Sequence, residues 1–460
     1  MGSSSSKRHP LIVTRCSVPP YCLKMAGTRH LIIGGGGGAS RTGVKNEIQV
    51  QFFLLPITQK ILLETHFRFL KQTFLLSFDH VGIDSCPRTL PLPLKATLTN
   101  ALTTGSHATM NMDIVNIGDP ELGEYLIAAG HDEYCTFYLS NGFSLSNVED
   151  GKDLVTLKFD EIYTVVSNQN EGGSYQKTVR FDRTIMGKPR YVITGGSEGT
   201  LRVWKLDTSL NKEMKPSAFL EIPAHKGVID EVDIAPDGRI FVSLGTDTKV
   251  YFWDISSGKR LAELPTLSEL GKEYRVRTIQ FTKLGSINII FVAAYNQVRR
   301  TSRSKSYLSL WAFNREKQTC NPILVRKACT ESISTMAISE CGGFTAIGTL
   351  SGSVGIYDTH EMKALYFARE THGIFVTGLE FLPKKVADIR TGEKDGRRCC
   401  LPGIAAGYKV AILSLSADQS VQFHAVHYKK SASSLLFAIF FVLYALWYFT
   451  RDWILSRRGY

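Results

Sequence analysis

One phrase recurs along this chain of 460 residues and limits what it can fold into. It is an alternating apolar strand, a turn, a strand running into small residues and glycine, a tight turn, and a strand that ends in an aromatic. Residues Tyr191 to Trp204, YVITGGSEGTLRVW, carry the clearest copy. Phe241 to Asp254 and Ala346 to Asp358 repeat it, and Tyr125 to Phe137 and Phe291 to Trp311 are looser versions. Alternation with a period of two marks strands that bury one face. Turns such as Pro236-Asp237-Gly238 and Cys341-Gly342-Gly343 join the first two strands of a unit. The closing aromatics Trp204, Trp253, Trp311 and Tyr357 return at intervals of roughly 45–60 residues.

That period, built from short strands and tight turns, is the period of a propeller blade of the WD-repeat type. The expected fold is therefore all-β: a seven-bladed WD-repeat-type β-propeller over residues 19–428, with an irregular insertion at about 53–104. The first blade is built around the stretch from Leu31 to Asn46, and the last around Phe375 to Phe423. His225 in Pro-Ala-His and His372 in Thr-His-Gly take the place of the repeat's Gly-His and are expected to brace turns within their blades. A propeller says scaffold; function sits in what its faces carry.

The most unusual face feature is LIIGGGGGASRTGVKN, Leu31 to Asn46. Five consecutive glycines, Gly34 to Gly38, follow a buried strand, and Glu47 to Phe52 resumes as a strand. Glycines accept positive φ and leave the backbone bare for close approach. Gly38 and Gly43 have Walker spacing, but Val44, Lys45 and Asn46 follow in place of Lys and a hydroxyl. Gly34, Gly36 and Ala39 formally match a dinucleotide fingerprint, which needs a helix where this chain has a strand. Neither phosphate-binding reading fits.

The formal charge of +12 favours an anionic partner. The nine cysteines form no C-x-x-C pair and no zinc-like spacing with His. With no N-x-[ST] acceptor, they point to a reducing, cytosolic setting for most of the chain. Residues 1–18 read as a leader whose Met1-Gly2 start fits a myristoylation pattern. The segment Ile61 to Phe78 carries Glu64, His66, Arg68 and Lys71, so it does not span a bilayer. Basic loops run from Gln297 to Lys305, within the fifth blade, and from Lys384 to Arg398; each suits solvent or an anionic partner.

The C-terminal stretch is sharper. After a linker at 429–433, residues 434–455 are apolar and aromatic-rich, about the 20 residues a bilayer requires. Trp447, Tyr448 and Trp453 suit an interface. The expectation is a single transmembrane helix, the propeller in the cytosol and a short lumenal tail at 456–460.

The sequence resembles the prolactin regulatory element-binding protein family, animal relatives of the endoplasmic-reticulum exchange factor for the Sar-type small GTPase. The resemblance runs through GGGGGASRTGVKN, HATMN at His107 to Asn111, ITGGSEGTLRVWK at Ile193 to Lys205, Pro236 to Gly238, GTLSGSVGIYD at Gly348 to Asp358, and ETHGIFVTGLEFLPKK at Glu370 to Lys385. It implies a membrane-anchored guanine nucleotide exchange factor, without covalent chemistry, that starts COPII budding at the endoplasmic reticulum. It further implies a potassium ion held by the carbonyls of Gly35, Gly36, Gly37 and Gly38. Arg41, Thr42, Gly43, Val44 and Lys45 are then partner-binding residues, and Asn46 is the GTPase-engaging exchange residue. Sequence position alone suggests that the Asn46 side chain is exposed and that its removal leaves stability nearly unchanged. Other COPII assembly factors are further expected partners. Alternatives are a promoter-binding regulator or a non-catalytic scaffold. No helix-turn-helix, zinc finger or basic helix is present to read a DNA groove, so DNA is not an expected partner.

Overall fold

The computed structural model describes residues 10–38, 43–54, 94–118, 122–148, 152–169, 173–183, 189–206, 218–285, 288–299, 304–384, 403–428, 443, 444 and 447. Strand β1 (Leu11–Arg15) precedes the first blade, β2 (Pro20–Ala26), β3 (His30–Gly35), β4 (Glu47–Leu54) and β5 (Lys95–Thr103). The second blade is β6 (Thr109–Asn116), β7 (Tyr125–His131), β8 (Tyr134–Val148) and β9 (Lys152–Val166). The third is β10 (Gln176–Phe181), β11 (Tyr191–Gly196), β12 (Thr200–Lys205) and β13 (Ala218–Pro223). The fourth is β14 (Ile229–Ile234), β15 (Ile240–Gly245), β16 (Val250–Asp254) and β17 (Arg260–Glu263). The fifth is β18 (Tyr274–Phe281), β19 (Ile289–Gln297), β20 (Ser306–Asn314) and β21 (Thr319–Cys329). The sixth is β22 (Ile333–Ile338), β23 (Phe344–Thr349), β24 (Val354–Asp358) and β25 (Lys363–Ala368). The seventh takes β26 (Val376–Phe381), β27 (Val410–Ser416) and β28 (Ser420–Val426), and is completed by β1.

The period-two patterning has a direct consequence for the core. Within β3, Leu31 and Ile33 pack toward the seventh blade, while Ile32 between them packs toward the second. Seven apolar clusters result, one in each gap between neighbouring blades. The repeat's aromatics are buried and their polar edges are bonded: Trp204 Nε1 donates to Thr194 at 2.9 Å and Trp253 Nε1 to Ser243 at 2.9 Å. His225 lies between Asp247, at 3.0 Å, and Ser243, at 2.8 Å. His372 bonds Ser420 at 2.9 Å and Ser414 at 2.7 Å. Both histidines brace turns, as their place in the repeat suggests.

Two boundaries differ from the sequence reading. Residues 1–18 are not all leader, because Leu11–Arg15 pairs with β28 and puts Val13 and Cys16 into the core. The N-terminal strand thereby completes the four-stranded sheet of the last blade and covers the edge of β28. The span 53–104 is not all insertion either: β4 runs to Leu54, and Lys95–Thr103 pairs with it as β5. The alternation in β5 is polar on one side and carries only small or isolated apolar residues, which hides it from a hydrophobicity reading.

Strand direction assigns the loops to faces. In each blade the turn between the second and third strands and the connection to the next blade leave the same face. The glycine loop (β3–β4), the basic loop around Gln297 to Lys305 (β19–β20) and the β1–β2 connection share that face. The insertion connects β4 to β5, so its two ends lie on the opposite face. The eight residues of β4 separate it from the glycine loop, about 25 Å at strand rise. β28 also ends on the opposite face. The second basic stretch, 385–398, and most of 434–455 lie outside the described residues. Leu443, Tyr444 and Trp447 are helical and exposed. Among the described residues no helix is long and apolar enough to cross a membrane.

A polar circuit joins the innermost strands of all seven blades. Lys24 on β2 reaches Glu380 on β26 at 3.6 Å and Asp113 on β6 at 3.7 Å. Asp113 also pairs with Arg183 and accepts the Phe181 N–H at 2.9 Å. Arg180 on β10 faces Asp233 at 3.5 Å and Glu231 at 3.9 Å on β14. Glu231 accepts from Gln280 on β18 at 3.1 Å, Gln280 donates to Met336 O on β22 at 3.0 Å, and Ser334 donates to Val376 O on β26 at 2.7 Å. Burial works to raise the Asp113 carboxyl, but Arg183, Lys24 and Arg180 outweigh it and hold it below the usual carboxylate range. Burial drives the Asp233 carboxyl up to about 6, and Arg180 offsets only part of that.

Candidate functional site

The glycine run is held from below by the β1–β2 connection. The Gly36 N–H donates to Pro19 O at 3.0 Å, and Gly35 pairs with both Pro20 and Glu47 in the sheet. Gly36 has φ +145 and Gly38 φ +72, regions that L side chains rarely adopt. A Cβ at Gly36 would also lie 2.2 Å from Asn46 Oδ1. The glycines are therefore required here by close packing as well as by turn geometry.

Asn46 closes the loop. Its Oδ1 accepts from Gly38 N–H at 2.9 Å, and its Nδ2 donates to Gly38 O and to Gly105 O, each at 3.2 Å. Its own carbonyl accepts from Thr104 N–H at 3.0 Å. The residue is 6% exposed. This corrects the expectation of an exposed side chain: Asn46 is tied to the loop on one side and to the next blade's approach on the other. Exposed side chains at this end of the loop are Val44 and Lys45, beside Gly43 with φ +74. Arg41 and Thr42 lie outside the described residues.

Sequence reasoning missed Thr104, Gly105, Ser17 and Glu47. Glu47 is buried at the foot of the loop, where its carboxylate accepts from Ser17 Oγ at 3.0 Å and Gln49 Nε2 at 2.6 Å. Thr104-Gly105 is legible as a turn, but nothing local says that it meets a residue 59 positions earlier. Among the described residues no three His, Cys, Asp or Glu side chains are placed to share a metal ion. A cation at the loop would rest on backbone carbonyls, a donor set suited to a weakly hydrated monovalent ion. The Gly38 carbonyl accepts one bond from Asn46 and, like any carbonyl oxygen, carries two lone pairs.

Residues 217–254 match the WD40 family, the WD domain or G-beta repeat. The rat and mouse proteins named guanine nucleotide-exchange factor SEC12 are 27% and 26% identical to this chain, over 92% of it and 93% of each of them. The chain is similar to the SEC12 exchange factors along nearly its whole length. Guanine nucleotide exchange is the activity that the names of those relatives state. The structure of Sqt1 from Chaetomium thermophilum superposes with a TM-score of 0.52 at 12% identity, over 91% of this chain and 100% of that one. That likeness shows the propeller fold alone.

Proposed function

We propose that this chain is a membrane-anchored exchange factor that opens a Sar-type small GTPase at the endoplasmic reticulum and so starts COPII coat assembly. The observation that carries the reading is the braced loop: a glycine turn fixed at both ends, with Val44 and Lys45 exposed beside it, on a propeller related to SEC12 proteins. Exchange needs no bond to the nucleotide. The loop favours the opened, nucleotide-free GTPase over the GDP-bound one, and GDP leaves faster by that difference in affinity.

Asn46 acts in this reading as a positioning residue, because its amide is committed to Gly38 and Gly105. Direct engagement of the GTPase by the same amide would first break three hydrogen bonds, each worth about 0.5–1.5 kcal/mol. A potassium ion, when bound by the carbonyls of Gly35 to Gly38, would supply a fixed positive charge that organises the turn. Residues 434–455 anchor the chain, and the basic loop on the same face as the glycine loop faces the partner.

The test is GDP release from a purified Sar-type GTPase, followed by fluorescence. Asn46→Ala and the double change Val44→Ser with Lys45→Ala should each slow stimulated release at least tenfold, and sodium in place of potassium should slow the native protein. Full activity of both variants would remove the loop mechanism.

A further inference from the structure

A cavity of about 360 Å³ opens directly beside the braced loop, between the first and second blades. Thr103, Thr104 and Gly105 form one wall, the same turn that Asn46 grips. Tyr134, Tyr138, Glu161 and Thr164, from β8 and β9, form the other. The nucleotide-exchange reading does not use any of these side chains.

Its lining mixes polar groups with a larger share of apolar surface and carries no Lys or Arg. Glu161 is exposed, and its carboxylate accepts from Thr164 Oγ1 at 3.1 Å; Thr164 in turn bonds Thr136 at 2.9 Å. No ion pair to Glu161 occurs among the described residues. The His107 ring is fixed by Asp132 at 2.7 Å and meets the Tyr134 ring edge-on at 5.7 Å between centroids. His131 adds no charge near neutral pH: burial, then the His107 charge, push it down to about 4. It bonds Tyr138 OH at 3.1 Å. A carboxylate without a cation, two tyrosines and a run of hydroxyls make a receptor for a cationic group, which gains from the charge and from the aromatic faces. In a chain of net charge +12 this is a locally acidic recess.

We propose that this cavity receives an Arg or Lys side chain of the partner GTPase, with Glu161 as its counter-charge. The proposal rests on the exchange reading above. The cavity and the glycine loop share the Thr104–Gly105 turn, so a side chain seated here docks the GTPase against the loop and sets which face of it the loop meets. Specificity, on this view, lies partly in the second blade.

The experiment measures the concentration of full-length protein giving half-maximal GDP release from a Sar-type GTPase, and the affinity for the nucleotide-free GTPase, at low and high salt. Glu161→Gln should raise both constants about tenfold and flatten their salt dependence, with an unchanged melting temperature; Glu161→Lys should weaken binding further. Glu161→Gln within twofold of the native protein, while Asn46→Ala slows release, overturns the cavity alone. If neither variant changes release, the exchange reading itself fails. A melting temperature lowered by Glu161→Gln together with unchanged salt dependence assigns Glu161 to the fold and overturns the proposal.

Discussion

The amide of Asn46 grips Gly38 at two points, accepting from its N–H at 2.9 Å and donating to its carbonyl at 3.2 Å. A third bond, to Gly105 O, carries the same side chain across to the connection leading into the second blade. The glycine loop is thereby part of the propeller's rigid frame at its C-terminal end.

Asn46→Ala leaves the Gly105 carbonyl and both polar groups of Gly38 without this partner, and removes the bonds of a side chain that is itself buried. We expect a loss of about 1–3 kcal/mol in stability, together with faster proteolysis within residues 38–45. Asn46→Asp retains the acceptor and loses both donated bonds, so it should rescue neither. Urea denaturation and limited proteolysis of the full-length protein measure this; unchanged protease resistance in Asn46→Ala would contradict the brace.

Gly36→Ala and Gly38→Ala should differ in size. The first puts a methyl 2.2 Å from Asn46 Oδ1 in addition to straining φ, whereas the second meets open space and strains φ alone. The left-handed backbone costs a non-glycine residue about 1–2 kcal/mol, so Gly38→Ala should lose about that much. Gly36→Ala should lose clearly more and release the Asn46 side chain. Equal melting temperatures for the two variants would refute the packing account.

Removing residues 1–16 takes away β1, uncovers the edge of β28 and strips Val13 and Cys16 from the cluster between the seventh and first blades. The bare edge is a template for pairing with another chain. The truncated protein is expected to melt earlier and to self-associate during heating, as light scattering would show. A monomeric truncation with native melting would mean that the remaining apolar cluster and the polar circuit hold the ring shut without β1.

Acid should destabilise the propeller already above the ordinary carboxylate range, the two buried histidines outweighing Asp233, whose carboxyl, raised to about 6, works the other way. Burial, with a nearby histidine charge as the next cause, pushes His131 down to about 4 and His424 to about 3, from an ordinary 6.5. Above pH 6.5 both are neutral folded and unfolded, and they contribute no pH dependence. Below it the unfolded chain takes up protons that the folded chain refuses, so stability falls as pH drops toward about 4 and about 3 respectively. Each histidine removes up to about 1.4 kcal/mol per pH unit across that window. Denaturation midpoints between pH 7 and 5 should decline, and less steeply in His131→Gln; an identical decline would show that His131 takes no part.

The repeat hairpins were legible because each is local. The turn residues of Pro236-Asp237-Gly238, the alternation of Tyr191 to Trp204 and the aromatic period need only neighbours in sequence to declare a blade. The place of β1 was not legible, since LIVTR is an ordinary short strand until β28, some 400 residues later, offers it an edge. The character of Asn46 failed for the same reason. The sequence marks the end of a glycine run, but exposure depends on whether Gly105 comes near, and that is decided by how the first two blades pack.

Sequence by itself determined the repeat, the blade count, the glycine loop and the bracing roles of His225 and His372. Tertiary structure alone decided how the ring closes, which face each loop occupies, and which polar groups meet across blades. Lys24, Asp113, Arg180 and Glu231 come from four different blades, and their charges have meaning only once the inner strands converge on one axis. Period and turn chemistry are encoded over a few residues; closure and electrostatic partnership arise between residues that the chain brings together only when it is folded.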